Sequence, residues 1–279
     1  MSNRTRRILI ALAVLAVVVI VGAIAFIVPN MRGDNDSGTA APPTPAPTPS
    51  SAPDTDGDLD TGATGFGVPD ADLSGRTVQV PNNPAGQPLP QREPTGPRTE
   101  CTNDEAPVTS PESMMIQRNF GRSTLYSETD GPARLDGLVL AGYTRTPQGA
   151  ALAAANFIPR MTAGGPVAAQ VVDKLTTVTD VAPRELREGV ADEPVNSDVD
   201  PLRAPIAFKI LSCTDSFVVV ELALVRDVDN NGNTLAAPIY NGMRLNMVWD
   251  NGAWKVRDNP SRAAFGPYTS LDGFTRWAL

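Results

Sequence analysis

From Ile8 to Val28 the chain is one apolar run broken only by Gly22, and no other feature restricts so strongly what the rest can do. About 21 residues at 1.5 Å each span roughly 30 Å, the hydrocarbon thickness of a bilayer. Residues 8–28 are therefore expected to cross a membrane once, as a helix, the form that satisfies its own backbone hydrogen bonds in lipid. Arg4, Arg6 and Arg7 precede the run, whereas Arg32 beyond it is offset by Asp34 and Asp36. This asymmetry keeps residues 1–7 cytoplasmic and places everything after Pro29 outside. The competing reading is a cleaved signal peptide ending near Ala23-Ile24-Ala25, but Phe26, Ile27 and Val28 carry the apolar run past that site. The expected partner of this segment is the lipid bilayer, and the expected location is the cell membrane.

Residues 29–105 are dominated by Pro, Thr, Ser, Ala, Gly and Asp, densest at Pro42-Pro43-Thr44-Pro45-Ala46-Pro47-Thr48-Pro49. Such a composition buries too little apolar surface to offset the entropy of ordering it. It reads as a disordered spacer, reaching roughly 50 Å as a coil and about 200 Å if extended. The alternation Asp54, Asp56, Asp58, Asp60 has the look of a calcium loop, yet its glycine falls one place early and no bidentate glutamate follows.

Composition narrows the function. The chain has no histidine, which removes the usual neutral-pH general base, the Ser-His-Asp and Cys-His nucleophiles and most catalytic zinc sites. Net charge is −8, and beyond the N-terminal arginines no basic cluster offers an electrostatic footprint for nucleic acid. No catalytic residue, cofactor or metal ligand is assigned from the sequence.

Residues 106–279 read as the folded, extracytoplasmic domain. Thr146 followed by Pro147 is an N-cap with proline at the first helical position, opening a helix over Gln148 to Ile158 that Pro159 is expected to end. A second helix is expected from Pro166, with Val167, Val171, Leu175 and Val178 on one face, and a third from Pro183 to Glu188. The period then changes. Ile206, Phe208 and Ile210, the run Phe217 to Val225, and Met243, Leu245, Met247 and Trp249 alternate as strands do. Asp250-Asn251-Gly252 is a hairpin turn into Trp254 to Arg257, and Asp229 to Asn233 is a second turn. Helices followed by a meander predict an α+β domain, its helices packed on one face of a curved antiparallel sheet.

The order of these elements, ending in Trp249 to Val256, resembles the nuclear-transport-factor-2-like (cystatin-like) cone. Gly131-Pro132 with Gly142-Tyr143-Thr144-Arg145-Thr146-Pro147-Gln148-Gly149-Ala150-Ala151 resembles a family of anchored actinobacterial proteins carried on conjugative or integrative elements. The resemblance implies an assembly module similar to the bitopic inner-membrane subunits of type IV secretion systems, with protein partners in the envelope, and it implies no catalysis.

Individual residues add little chemistry. Asp227, Asp229, Asn231 and Gly232 match the first half of a calcium loop, but Pro238 stands where the bidentate glutamate belongs, so a hairpin turn is favoured. Glu221 sits inside an apolar strand, where an outward or edge position is favoured over a pocket base. Trp249 and Trp254 read as a cross-strand pair or as pocket lining. Cys101 and Cys213 are the only cysteines, and outside the cytoplasm they are expected to form a disulfide. A buried thiol at Cys213 with an exposed one at Cys101 is the alternative.

Overall fold

The computed structural model describes residues 62–98, 108–177, 191–199, 203–229, 233–257 and 267–279. The apolar run 8–28, the proline run 42–49, the acidic stretch 54–60 and the helix expected over 183–188 lie outside the described residues. Among the described residues no helix is long and apolar enough to cross a membrane.

The α+β cone is not what this chain forms. The described residues are mostly strands, arranged in three sheets, with two helices. Strands β1 (Asp70–Ala71), β2 (Thr77–Gln79), β3 (Met114–Asn119) and β4 (Arg122–Ser127) make one sheet in that order, with β2 parallel to β3 and the other pairs antiparallel. β5 (Arg134–Asp136) and β6 (Val139–Ala141) form a small hairpin. Helices α1 (Pro147–Met161) and α2 (Gly165–Leu175) follow. The last sheet is the meander of β7 (Ala207–Thr214), β8 (Phe217–Val228), β9 (Thr234–Asp250) and β10 (Ala253–Val256). β11 (Pro267–Tyr268) adds to β9, and β12 (Thr275–Arg276) adds to β7.

Among the described residues six strands thus precede the first helix, where helices were expected to come first. β3 and β4 escape a reading by hydrophobic alternation because many of their buried positions are polar. Gln117, Asn119, Arg122, Ser123, Thr124 and Ser127 are all buried on β3 and β4, and polar groups inside a fold are tolerated once hydrogen-bonded. The segment read as a disordered spacer, 29–105, overlaps the described residues from 62 to 98. Residues 62–98 hold β1 and β2, and Val78, Ala85 and Leu89 within them are buried. This apolar-poor segment is ordered by joining an existing sheet and by ion pairs of Asp70 with Arg118, Arg92 with Glu112 and Glu128, and Arg98 with Asp130.

α1 touches both large sheets, meeting β4 of the first and β8 of the second. Its residues 150–155, five alanines and Leu152, are all buried, and such small side chains let backbones on either side come close. Thr146 caps the helix as its sequence predicts, accepting the Gly149 N–H at 3.0 Å. Pro159 does not end it. The helix runs on to Met161, since a proline this near the C-terminus removes one backbone donor without blocking the turn that follows. α2 starts as expected, with Pro166 in its first turn.

The second sheet alternates as its sequence predicts: Val218, Val220 and Leu222 face the core with Met243, Leu245 and Met247 across from them. Phe208, Trp254 and Trp277 close the same cluster, which also takes in Ile116 and Leu125 of the first sheet. Asn251 and Gly252, both at positive φ, form the tight turn into β10. At the β3–β4 turn Phe120 has a φ of 46°. That conformation is strained for a bulky residue and is held here because the ring packs among Ala85, Ala163 and Val167.

Candidate functional site

Three buried polar constellations contain the ionisable groups that could carry chemistry. The first is built on Asp130, which is fully buried. Arg98 donates to both of its oxygens, at 2.9 and 2.7 Å. The hydroxyls of Thr129 and Thr144 donate at 2.7 Å each, and that of Thr146 at 3.1 Å. Thr146 is also the α1 cap, and the Thr144 carbonyl accepts the Trp254 indole N–H at 2.8 Å. Gly149 completes the arrangement, because a Cβ there would overlap the Thr144 carbonyl. The Gly142 to Ala151 stretch therefore joins the two sheets through one carboxylate. With both oxygens engaged by five donors, Asp130 is placed to hold these segments together.

The second constellation surrounds Arg160 on α1. Its guanidinium is 1 % exposed, lies 5.0 Å over the Phe120 ring, and donates to the carbonyls of Ala85, at 3.2 Å, and Leu138. Burial lowers its pKa. Burial also pushes the Tyr126 and Tyr143 hydroxyls well above the usual phenol value. Tyr126 donates to Asn119 Oδ1 at 3.0 Å, and Tyr143 accepts from Asn156 Nδ2 at 2.9 Å.

The third lies on the face of the second sheet opposite the core. Lys209, Glu221 and Arg244 are cross-strand neighbours on β7, β8 and β9. Glu221 faces outward, as its sequence setting favoured, yet is only 2 % exposed, because the C-terminal segment crosses over it. Arg244 donates to one of its oxygens at 3.1 Å and the Tyr268 hydroxyl to the other. The bond to Glu221 raises the Tyr268 pKa.

The remaining sequence candidates are accounted for individually. Asp227 is gripped by Arg203 through two bonds of 2.9 Å, and this contact lowers its pKa. Asp229 accepts from the backbone and side chain of Asn233, closing the hairpin turn, while Asn231 and Gly232 lie outside the described residues. Among the described residues no group of three acidic or thiol side chains could hold a metal ion. Trp249 and Trp254 are a cross-strand pair with ring centroids 5.2 Å apart, and the Arg145 guanidinium lies 5.7 Å from the Trp249 ring. Cys213 is disulfide-bonded, and Cys101, the one other cysteine of the chain, lies outside the described residues.

Two surface depressions flank the first sheet. One, of about 300 Å³, is lined by Arg76, Met114, Met115 and Leu279 among others. The other, of about 280 Å³, is lined by residues of the 62–88 segment, including Asn83, Gly86 and Gln87. Neither contains a pair of titratable side chains. The roles of Asp130 and Arg160 were missed in the sequence, since their partners lie far along the chain and leave no spacing signal.

Comparison with known proteins adds one finding. No curated protein and no solved structure matches the chain. One family, described as a domain of unknown function, matches residues 79–276, an interval that runs from the end of β2 to β12 and includes all three constellations. Because the match takes in well over half of the sequence, the chain belongs to the DUF8175 family, a domain of unknown function.

Proposed function

We propose that this chain is a membrane-tethered module that works outside the cytoplasm by binding protein partners of an envelope complex, and that it is not an enzyme. The observation that carries the reading is the deployment of the buried charges. Asp130, Glu221 and Arg160 each bind groups of the fold itself, so their geometry serves packing. The apolar run 8–28 and the arginines before it support the tether and its orientation. A tether raises the effective concentration of a binding module for partners in the same membrane. The resemblance of the Gly142 to Ala151 stretch to anchored proteins of conjugative elements makes conjugative transfer the process of choice. The rival reading is a small-ligand-binding module, although the cone whose pocket it was to use is not the fold of the described residues.

The test is crosslinking in membranes of the native host followed by co-purification under detergent. Recovery of a defined set of envelope proteins, unchanged by Glu221→Gln, is expected. A chain recovered alone, whose phenotype is lost on Glu221→Gln in a folded protein, would replace binding with chemistry. Protease added to intact spheroplasts should remove the C-terminal domain, and full protection would reverse the orientation.

A further inference from the structure

The chain has three Asn-Gly dipeptides, at Asn231-Gly232, Asn241-Gly242 and Asn251-Gly252. The first lies outside the described residues, and the other two sit in opposite settings. Asn241 is held inside β9, opposite Leu224 of β8 on one side and Pro267 of β11 on the other, and Gly242 is buried opposite Ala223. Asn251 and Gly252 are both exposed, at φ of 51° and 78°, and make up the whole turn between β9 and β10. Beyond the chain neighbours, no atom lies within 4 Å of the point where a Gly252 Cβ would stand, so nothing shields that side of the backbone. The Asn251 side chain is held only by its neighbour: its Nδ2 donates to Asp250 Oδ2 at 3.3 Å, an oxygen that Lys255 engages at 2.7 Å.

Asparagine is a thermolabile residue, and a following glycine puts no side chain in the way of the reaction. We infer that Asn251 is a site of spontaneous covalent modification, where water converts the side-chain amide to aspartate and isoaspartate and so loosens β10. The Gly252 nitrogen, its proton lost to solvent base, attacks Asn251 Cγ. The new N–Cγ bond closes a succinimide ring, the bond from Cγ to Nδ2 breaks, and Nδ2 leaves as ammonia. One water then opens the ring. Cleavage of the new bond gives aspartate, and cleavage of the original peptide bond gives isoaspartate, whose main chain runs through Cβ. The attack is made as the turn opens, and an exposed hairpin tip belongs to the least stable parts of a fold, whereas Asn241 is released only with the sheet around it. A two-residue turn sets the register of its strands, and here it holds Trp254 opposite Trp249. Trp254 is buried and its indole N–H donates to the Thr144 carbonyl at 2.8 Å, beside the α1 cap, so an extra main-chain atom at Asn251 is felt inside the core. This goes beyond partner binding and does not depend on it.

The full-length protein in detergent is aged under native conditions at mildly alkaline pH, then digested and mapped by mass spectrometry against an unaged sample. Asn251 is expected to gain one mass unit with time, in two products that separate on chromatography, while Asn241 keeps its mass. Hydrogen exchange of the aged chain should be faster at Trp254 to Val256, with β8 retaining its protection. Asn251→Gly removes the reacting amide and suits a turn whose two residues both have positive φ. Its β10 protection is expected to survive the same ageing. An Asn251 that keeps its mass, an equal gain at Asn241, or the same loss of β10 protection in aged Asn251→Gly would each overturn the inference.

Discussion

Single residues decide most where a charge is buried. Asp130 has no exposure and five donors from three segments of the chain, so Asp130→Asn, which keeps the shape and removes the charge, leaves Arg98 without its counter-charge. Breaking one partner of a buried pair costs about 3–5 kcal/mol. Urea unfolding of the detergent-solubilised chain should show a midpoint reduced accordingly, and an unchanged midpoint would remove Asp130 from its joining role. Glu112 offers a milder test at the surface. Its carboxylate accepts the backbone N–H groups of Gly96 and Thr95, the Thr95 hydroxyl and an Arg92 bond, which draw its pKa down to about 2 from 4.5. A depressed folded-state value means stability that is complete above about 4.5 and disappears as pH falls toward 2. Glu112→Gln should flatten that acid limb by lowering stability at neutral pH while leaving it almost untouched near pH 2, as urea unfolding at the two pH values would show. At this scale the sequence was informative for Thr146 and for the tryptophan pair, whose partners are near in sequence or fixed by a tight turn. It was silent on Arg98 and Asp130, which are brought together by the fold.

Among the elements, α1 was the most legible, because its cap, its first-turn proline and its alanines act within a few residues of one another. β3 and β4 were illegible, because much of what they bury is polar and its satisfaction comes from elsewhere. Asn156 of α1 shows how. Its Oδ1 accepts the Leu125 N–H at 2.7 Å and its Nδ2 donates to the Leu125 carbonyl at 2.8 Å, so one amide takes the place of a neighbouring strand at the edge of β4. Asn156→Leu, close in size, strands both backbone groups in the interior, at about 1–3 kcal/mol each. Hydrogen exchange should then reveal faster exchange at Leu125 and along β4, with β8 and β9 retaining most of their protection. Uniform loss across both sheets would mean that the edge is not a separate element.

For the whole molecule, the C-terminal residues act as the clasp between the sheets. β12 pairs with β7, Thr275 donates its hydroxyl to the Val108 carbonyl, and the Ala278 N–H donates to the Ser110 hydroxyl at 3.0 Å. Between them Trp277 enters the core, its ring centroid 4.4 Å from that of Phe208. Trp277→Ala should cost about 3–5 kcal/mol and lower the stability of both sheets in one transition. Two separate transitions would show that the sheets fold independently. What the sequence by itself determined is local or one-dimensional: the apolar run and its charge asymmetry, the α1 cap, the alternation of β7 to β10 and the turn at Asn251-Gly252. Each depends on spacing along the chain, which is written in the order of residues. The tertiary structure alone decided that residues 62–98 hold two strands of the first sheet, that six strands precede the helices among the described residues, and that Asp130, Arg160 and Glu221 are buried. Those outcomes depend on hydrogen bonds and ion pairs between residues tens of positions apart, and such pairings leave no period in the sequence.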